Sequence, residues 1–303
     1  MLWMKRISAA MILSLLTMST YAQVKQEKTL LWKISGNKLE KPSYLFGTIH
    51  MICKDDALLS QNLKNIISDA DEVYFEVDLD NMVEMLSVMG KMKMRGDTTL
   101  RDLLSEKDYN TVKEYFESRG SMLPFSMLET YKPIMAASVL EQKSFPCETT
   151  AMMEQVIMQE AKQHGKKIKG LESMSYQVGV LDDIPYKLQA EQLVAYIETE
   201  NKGEGDNKLL NEMMEAYKSQ DIERLEEIML KSDVGAASYS DILLYRRNRN
   251  WIEKMKDILP GQSLLFAVGA GHLPGKEGVI SLLRKAGYTV TPVKNETASV
   301  RTI

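Results

Sequence analysis

The chain is 303 residues long, 44% of them hydrophobic, with a formal net charge of −4 at pH 7. That is enough chain for one large or two small domains with a sizeable core, and 21 methionines add adaptable packing material. The mild acidity argues against nucleic acid as a partner, because binding nucleic acid needs a basic surface.

The first 22 residues are predicted to be a secretory signal peptide rather than part of the fold. Lys5 and Arg6 precede an apolar run over residues 7–18, and small residues stand where a signal peptidase reads before a cut after Ala22. An uncleaved anchor is the alternative, although the run is shorter than the roughly 20 residues that span a bilayer. No later run is long and apolar enough to do so. We expect residues 23–303 to form a single domain outside the cytoplasm, periplasmic or extracellular.

Short strands are predicted at both ends of the mature chain, with helices between them. The first strands cover residues 29–35, 43–49 and 72–79, and a helix over 57–68 precedes the third. The middle has one strand, over 166–171, and helices over residues 81–92, 106–118, 126–142, 150–164, 185–200, 207–219, 222–229 and 239–259. Strands over 263–268 and 288–293 flank a last helix over 278–286. This order predicts an α+β fold whose mixed sheet combines N- and C-terminal strands under a largely helical middle region.

Cys53 and Cys147 are the two cysteines of the chain. In an oxidising compartment they could pair, but two cysteines do not make a disulfide framework. The alternative is two separate, small buried residues.

Two of the three histidines follow an apolar strand at the same Gly-x-x-His spacing. Residues 44–50 (YLFGTIH) end at His50, and residues 264–272 (LLFAVGAGH) end at His272. Glycine permits a sharp turn and a close approach at a strand end, and a histidine just beyond it stands where α/β sheets place ligands. Either imidazole alone could simply cap a turn, but the repeated setting favours a shared polar site. His164, at a polar helix end, is interpreted as structural.

Glu76 lies among apolar residues near the end of its predicted strand, so its charge needs a partner or a metal ion. Two imidazoles and a carboxylate suit Zn²⁺, Mn²⁺ or Co²⁺, with positions left for water. His50, Glu76 and His272 are therefore candidate metal ligands. The alternative is a buried Glu76 paired with a basic side chain. Asp78, two residues on, is expected to be structural.

Polar residues interrupt the apolar stripes of the helix predicted over 239–259. Arg247 and Asn248 lie on faces shared with apolar residues and could point inward together. An inward arginine could hold a carboxylate or stabilise an oxyanion. From spacing alone a solvated basic patch is favoured, because Arg246 and Arg249 crowd against Arg247.

Glu172 follows the strand predicted over 166–171, again at a carboxyl end, and Gln177 comes five residues later. This position makes Glu172 a further candidate for the same site, although its type and place alone do not separate a functional role from a structural one.

At these positions the sequence resembles the TraB/PrgY/GumN family, which includes the Tiki proteases. The resemblance rests on residues 44–50, 74–78 (YFEVD), 170–172 (GLE) with Gln177, 247–251 (RNRNW) and 268–272 (VGAGH). These motifs stand in the family's order and cover nearly the whole mature chain. One departure is the Gly-x-Asp turn that bacterial members often have before the middle helix, where residues 145–148 read FPCE.

The resemblance implies a fold related to the erythromycin-esterase and ChaN-like group and a metal-dependent peptidase site of His50, Glu76 and His272. It also implies that Arg247 and Asn248 face that site. The leading hypothesis is an exported, metal-dependent hydrolase of peptides or other small substrates. In it the ion activates water, Glu172 shuttles the proton and Arg247 steadies the oxyanion.

Two other hypotheses remain open. One is a metal-independent, esterase-like hydrolase with His50 as general base. The other is a protein that binds a peptide, or haem, without turnover.

Overall fold

The computed structural model of the protein describes residues 28–119, 123–141, 145–201, 207–231 and 239–297. The predicted signal peptide lies outside the described residues. Within these ranges the strands are β1 (Leu31–Gly36), β2 (Ser43–Thr48), β3 (Ile52–Cys53), β4 (Glu72–Phe75), β5 (Thr150–Ala151), β6 (Lys167–Gly170), β7 (Leu264–Gly269) and β8 (Tyr288–Pro292).

Six strands form one mixed sheet in the order β6-β4-β7-β2-β1-β8, and β3 pairs with β5 in a separate small sheet. Strands β6, β4, β7 and β2 run parallel to one another, whereas β1 pairs antiparallel with β2 and with β8. The C-terminal strand β7 lies between the N-terminal strands β2 and β4, so the predicted mixed sheet is confirmed. The first five residues of β7 are all buried, as expected for a central parallel strand covered on both faces.

Helices cover this sheet and make up most of the middle of the chain. The first begins after Ser60, whose hydroxyl accepts a hydrogen bond from the Leu63 N–H and caps the helix. The helices are α1 (Gln61–Asp69), α2 (Met82–Val88), α3 (Leu100–Leu103), α4 (Glu106–Arg119), α5 (Phe125–Leu128), α6 (Pro133–Glu141), α7 (Met153–Gln163), α8 (Met174–Val180), α9 (Tyr186–Asn201), α10 (Asn207–Lys218), α11 (Ile222–Lys231), α12 (Arg246–Ile258) and α13 (Val279–Lys285).

Two hydrophobic clusters hold these elements together. The larger one packs around the sheet and includes the fully buried Trp32, Phe266 and Trp251. The smaller one joins α4, α6 and α9 through residues such as Val112 and Ile197. The helical middle region therefore has apolar packing of its own beside the sheet.

Several predicted elements end or divide differently in the structure. The helix predicted over 126–142 is two helices, because Pro133 starts α6 and a residue before proline disfavours helical backbone. The strand predicted over 72–79 ends at Phe75, although the Phe75 and Glu76 carbonyls still accept the N–H groups of Leu171 and Glu172, just after β6. A short 3-10 helix, Ala270–His272, follows β7, and the helix predicted over 278–286 is α13, from Val279 to Lys285. Strands β3 and β5 were not predicted.

Cys53 and Cys147 form a disulfide bond across 94 residues of chain. Of the two alternatives left by the sequence, the bridge is therefore the one that the structure shows. Closing a loop of this length is worth about 4–5 kcal/mol in the chain-entropy picture of disulfide stabilisation.

The helices in the part of the chain that the structure describes include none that is both long enough and apolar enough to cross a membrane.

Gly170 provides a test of how closely the strand ends approach each other. A Cβ at this position would lie 2.6 Å from the Asp78 nitrogen and 2.8 Å from the Glu172 oxygen, both backbone atoms that cannot move away cheaply. We expect Gly170→Ala to lower the free energy of unfolding by about 1–3 kcal/mol. Gly179→Ala is the matched control, because α8 leaves open space there and alanine favours helix by up to about 1 kcal/mol. Urea denaturation of both variants checks this, and equal effects would contradict it.

Candidate functional site

The carboxyl ends of the four parallel strands meet at one edge of the sheet, and a polar residue follows each of them closely. His50 follows β2, Glu76 follows β4, Glu172 follows β6 and His272 follows β7. We call these four side chains, together with Arg247 and Asn248 of α12, the carboxyl-edge site.

Glu76 is 8% exposed and is bound by three donors from different parts of the chain. Its Oε1 accepts the Gly269 N–H at 2.8 Å, and its Oε2 accepts Gln177 Nε2 at 2.8 Å and Arg247 Nη2 at 2.5 Å. Burial alone would raise the pKa of Glu76, but electrostatic interactions with His272 and Arg247 and the hydrogen bond from the Gly269 N–H outweigh it and hold the pKa at about 2. Glu76 is therefore a carboxylate at neutral pH.

Arg247 joins Glu76 to Glu172. Its Nε and Nη2 donate to Glu172 Oε1 at 2.9 and 2.7 Å, and its Nη1 donates to the Leu243 carbonyl at 2.9 Å. Arg247 is 7% exposed, so the solvated patch favoured by spacing is wrong for this residue. The prediction of a solvated basic patch is correct for Arg246 and Arg249, which are exposed.

The two carboxylates that share Arg247 differ in proton affinity. Burial raises the pKa of Glu172, and the hydrogen bonds from Arg247 and from Trp251 Nε1, the latter 2.8 Å from Glu172 Oε2, oppose that rise without cancelling it. The pKa of Glu76 is shifted the other way. Glu172 is therefore the carboxylate of the pair that takes up a proton more readily, a difference that separates acid–base roles between neighbouring carboxyl groups.

His272 is buried and is fixed in one tautomer by Asn248. The Asn248 amide donates from Nδ2 to the Glu277 carbonyl at 2.8 Å, which turns its Oδ1 towards His272 Nδ1 at 2.6 Å. An acceptor at Nδ1 means that this nitrogen carries the proton, so Nε2 keeps its lone pair. That Nε2 lies 3.3 Å from Arg247 Nη1 and 3.6 Å from Glu76 Oε1. Burial lowers the pKa of His272 to about 4, so the ring is neutral at neutral pH.

His50 is the exposed residue of the site, and its ring forms a hydrogen-bonded pair with the buried Glu154. Its side chain is 72% exposed, and its Nδ1 lies 2.9 Å from Glu154 Oε1, on a side chain that is only 8% exposed. The hydrogen bond to Glu154 raises the pKa of His50 to about 9, against the opposing effect of partial burial. The charges of Glu76 and Arg247 also act on this pKa, so His50 belongs to the same electrostatic environment as the rest of the site.

Glu154 is a residue that the sequence reasoning missed. It lies in the first turn of α7, on the buried stripe that continues through Ile157 and Ala161. A charged residue on an otherwise apolar stripe, at helical spacing, is the pattern that could have found it. Residues 145–148 lack the aspartate of the Gly-x-Asp turn that bacterial members of the family often have. Glu154, a few residues later, nevertheless places a carboxylate beside His50.

Both glycines of the Gly-x-x-His motifs act by making room rather than by unusual backbone angles. A Cβ on Gly47 would lie 2.8 Å from Leu273 Cδ1 and 3.1 Å from Ala270 Cα, and one on Gly269 would lie 3.2 Å from Glu76 Oε1. Neither glycine has a positive φ. Of the two effects expected for these glycines, the close approach is the one that the structure shows.

A π-helical turn, Asp241–Tyr245, leads into α12 just before Arg247. The Arg246 N–H bonds to the Asp241 carbonyl, five residues back, where an α-helix would bond four residues back. The Leu243 carbonyl within this turn accepts one N–H of the Arg247 guanidinium. The turn therefore helps to fix the direction in which Arg247 points.

The remaining predicted residues have local roles. Asp78 accepts the Asp80 N–H in a turn, and His164 lies at the end of α7, 3.5 Å from Glu160. Gln177, which belongs to the motifs of the family resemblance, is not local in this sense, because it lies in α8 and donates a hydrogen bond to Glu76.

The donor chemistry of the site fits a divalent metal ion, whereas the present arrangement does not form a closed ligand set. Both imidazoles engage Nδ1 with a side-chain oxygen and leave Nε2 for other contacts, which is how metal-binding histidines are usually held. Glu76 Oε1 lies beside His272 Nε2, but Arg247 contacts both residues. Among the described residues, no three His, Cys, Asp or Glu side chains form a group that could hold a metal ion.

These features define an α+β protein with a buried ionic cluster and two histidine-bearing turns at the carboxyl edge of a mixed sheet. A model of the TraB/PrgY/gumN family matches residues 30–292, and the chain belongs to this family.

Several curated proteins are similar to the chain at low identity. Metalloprotease TIKI2 of Danio rerio is 24% identical over 88% of this chain and 61% of its own length. Metalloprotease TIKI1 of Homo sapiens is 21% identical over 88% of this chain and 62% of its own length. Uncharacterized protein YbaP of Escherichia coli (strain K12) is 24% identical over 85% of this chain and 97% of its own length. The chain thus spans about three fifths of the Tiki proteins that it matches. No solved structure matches it.

Removing the central cation tests the buried ionic cluster. Arg247→Met leaves Glu76 and Glu172 buried without their shared partner, and we expect the free energy of unfolding to fall by roughly 3–5 kcal/mol. Arg246→Met is the control, because Arg246 is exposed and its surface ion pairs are worth at most about 1 kcal/mol. Urea denaturation measures both. A loss in Arg247→Met no larger than in the control would contradict the central role of this cluster.

The buried, neutral state of His272 predicts a pH dependence of stability. Its folded pKa of about 4 lies below the ordinary 6.5, so the unfolded chain binds the proton first as the pH falls. The stability that His272 contributes is therefore present above pH 6.5 and is lost towards pH 4, by on the order of 1–3 kcal/mol. Urea denaturation of the metal-free protein across this range checks it. His272→Gln should flatten the slope and His164→Gln should not.

Proposed function

We propose that this protein is a hydrolase that cleaves peptides at the carboxyl-edge site, and that it is exported from the cytoplasm. The Tiki relatives, which are named metalloproteases, support the hydrolase class at 21–24% identity. The observation that carries the proposal is the placement of two imidazoles, each bound at Nδ1 by a side-chain oxygen, at the same sheet edge as a buried carboxylate.

His50, Glu76 and His272 are the residues that would hold a divalent ion, of the type Zn²⁺, Mn²⁺ or Co²⁺. Such an ion, when bound, supplies a Lewis acid and lowers the pKa of a bound water. Asn248 and Glu154 prepare the two imidazoles for this role, because each fixes the opposite ring nitrogen.

Glu172 is the residue that we assign to proton transfer. Burial raises its pKa above that of an ordinary carboxyl group, which brings its proton affinity closer to the value that a general base needs near neutral pH. It shares Arg247 with Glu76, so the residue assigned to proton transfer lies beside one of the proposed metal ligands.

Arg247 is assigned a positioning role rather than the expected contact with an oxyanion. Its five N–H groups have acceptors in Glu76, Glu172, the Leu243 carbonyl and His272. An oxyanion could recruit it only by replacing one of these partners. In the arrangement described, Arg247 holds the two carboxylates and the second imidazole at fixed distances.

A metal-independent hydrolase is the second candidate, and the His50–Glu154 pair favours it. A carboxylate behind the Nδ1 of an exposed imidazole is the arrangement of a general base in nucleophilic and hydrolytic sites. With a pKa of about 9, His50 is protonated at neutral pH, so this route would run faster in alkaline solution. Turnover that survives a chelator and rises towards pH 9 would select this candidate over the metal-dependent one.

Export is supported by two features. The predicted signal peptide precedes the described residues, and the Cys53–Cys147 bond suits an oxidising compartment. Fractionation of cells that make the full chain, together with mass analysis of its N-terminus, would show whether the mature protein starts after Ala22. Protein that stays in the cytoplasm and keeps its first 22 residues would contradict export.

The function is tested by metal analysis and peptide cleavage on one set of purified variants. We expect about one bound divalent ion per chain and cleavage of unstructured peptides, with His50→Ala losing both. His164→Ala is the matched control, since His164 pairs with Glu160 at a helix end away from the site, and it should behave as wild type. Peptide bound tightly by wild type and released uncut would show a binding protein instead, and undiminished cleavage in metal-free His50→Ala would rule out this site.

A further inference from the structure

The segments that carry His50 and Glu154 are joined by the small sheet of β3 and β5. Strand β3 begins two residues after His50, and β5 ends three residues before Glu154. Ile52 pairs with Ala151 and Cys53 with Thr150. Further backbone bonds run from the Lys54 N–H to the Thr149 carbonyl at 3.0 Å and from the Met153 N–H to the Ile49 carbonyl at 3.3 Å. The two segments thus run side by side for the length of this contact.

The Cys53–Cys147 bond locks the same contact covalently. Cys53 is the last residue of β3, three positions after His50, and Cys147 lies seven positions before Glu154. A two-residue ladder is too short to be stable alone. The disulfide is therefore a major restraint on how these two segments lie against each other.

Only one of the two carboxylate oxygens of Glu154 has hydrogen-bond partners among the described residues. Its Oε1 is shared by Thr48 Oγ1 at 2.8 Å and His50 Nδ1 at 2.9 Å. Its Oε2 is buried and has no hydrogen-bond partner within the described ranges of the chain. Burying a carboxylate oxygen without a partner is unfavourable. The hydrogen bonds that Glu154 does make, with Thr48 and His50 of the same segment, are therefore the interactions that fix its carboxylate against His50.

We infer that Glu154 is the positioning residue of His50 and that the Cys53–Cys147 disulfide keeps the two in register, so that the carboxyl-edge site is complete only in the oxidised chain. The orientation of His50 follows from the contacts alone. Its consequence for catalysis rests on the function proposed above. Reduction would proceed by thiol–disulfide exchange, in which a dithiol forms its own disulfide and Cys53 and Cys147 each gain a proton and become thiols.

The orientation is tested first, without reference to activity, by NMR of the histidine rings in metal-free protein labelled with ¹⁵N. We expect His50 to show a downfield Nδ1–H proton resonance that is lost in Glu154→Ala and shifted in Glu154→Gln. Glu160→Gln is the matched control, because Glu160 faces His164 at 3.5 Å in a comparable pair on α7. It should change the His164 ring resonances and leave those of His50 in place. An unchanged His50 ring in Glu154→Ala would overturn the positioning role.

The redox part is tested on the same resonance. Treatment of the native protein with a dithiol, and separately the double variant Cys53→Ser with Cys147→Ser, should broaden or remove the His50 Nδ1–H resonance while His272 keeps its own. The dithiol experiment starts from folded protein, so it remains informative if the double variant fails to fold. A sharp, unshifted His50 resonance after complete reduction, verified by thiol counting, would overturn the role of the disulfide.

Activity gives the second readout. Glu154→Ala and the reduced protein should lose roughly 10–100-fold in kcat with a smaller change in KM, and Glu154→Gln, which keeps an acceptor for Nδ1, should recover part of that loss. An effect on KM alone would overturn the positioning role. If the wild-type protein cleaves no peptide, the proposed function fails, while the ring resonances still decide whether Glu154 and the disulfide orient His50.

Discussion

The structure depends on the interaction of one buried arginine with two buried carboxylates. Arg247 lies between Glu76 and Glu172, which follow neighbouring parallel strands and would repel each other without it. Buried ion pairs seldom add net stability, since removing charges from water offsets most of the attraction. Here the backbone N–H of Gly269, the amide of Gln177 and the indole of Trp251 satisfy the remaining oxygens. The cluster therefore ties β4, β6, β7, α8 and α12 to a single geometry.

The histidines are added to this cluster in two different ways. His272 is buried and neutral, and Asn248 of the same helix as Arg247 determines which ring nitrogen carries the proton. His50 is exposed and has a raised pKa, and its ring is bound by Glu154 of α7 rather than by a residue of α12. One imidazole is thus part of the rigid interior while the other faces solvent. The site therefore combines a buried imidazole that is fixed by its neighbours with an exposed imidazole at the protein surface.

The sequence could predict where the site lies but only part of how it is held. Apolar strands followed by His50, Glu76, Glu172 and His272 predict four polar residues at one sheet edge, because parallel strands end together. The inward direction of Arg247 could not be separated from a surface patch by spacing, since Arg247 and Asn248 are buried between two exposed arginines, Arg246 and Arg249. Glu154 lies 104 residues from His50, and their contact depends on β3, β5 and a disulfide whose pairing two cysteines alone do not establish. Long-range register of this kind is set by tertiary packing rather than by local pattern.

The π-helical turn before α12 has a consequence for how this helix can change. The wider π-turn takes up one residue more than an α-helical turn, so the helix segments on its two sides keep the facing that an uninterrupted helix would give them. Removing one residue from Asp241–Tyr245 would therefore close an ordinary helical turn and leave Arg247 facing the carboxylates. The turn can absorb a change in chain length, whereas a deletion between Arg247 and Trp251 would rotate these two Glu172 partners by about 100° relative to each other.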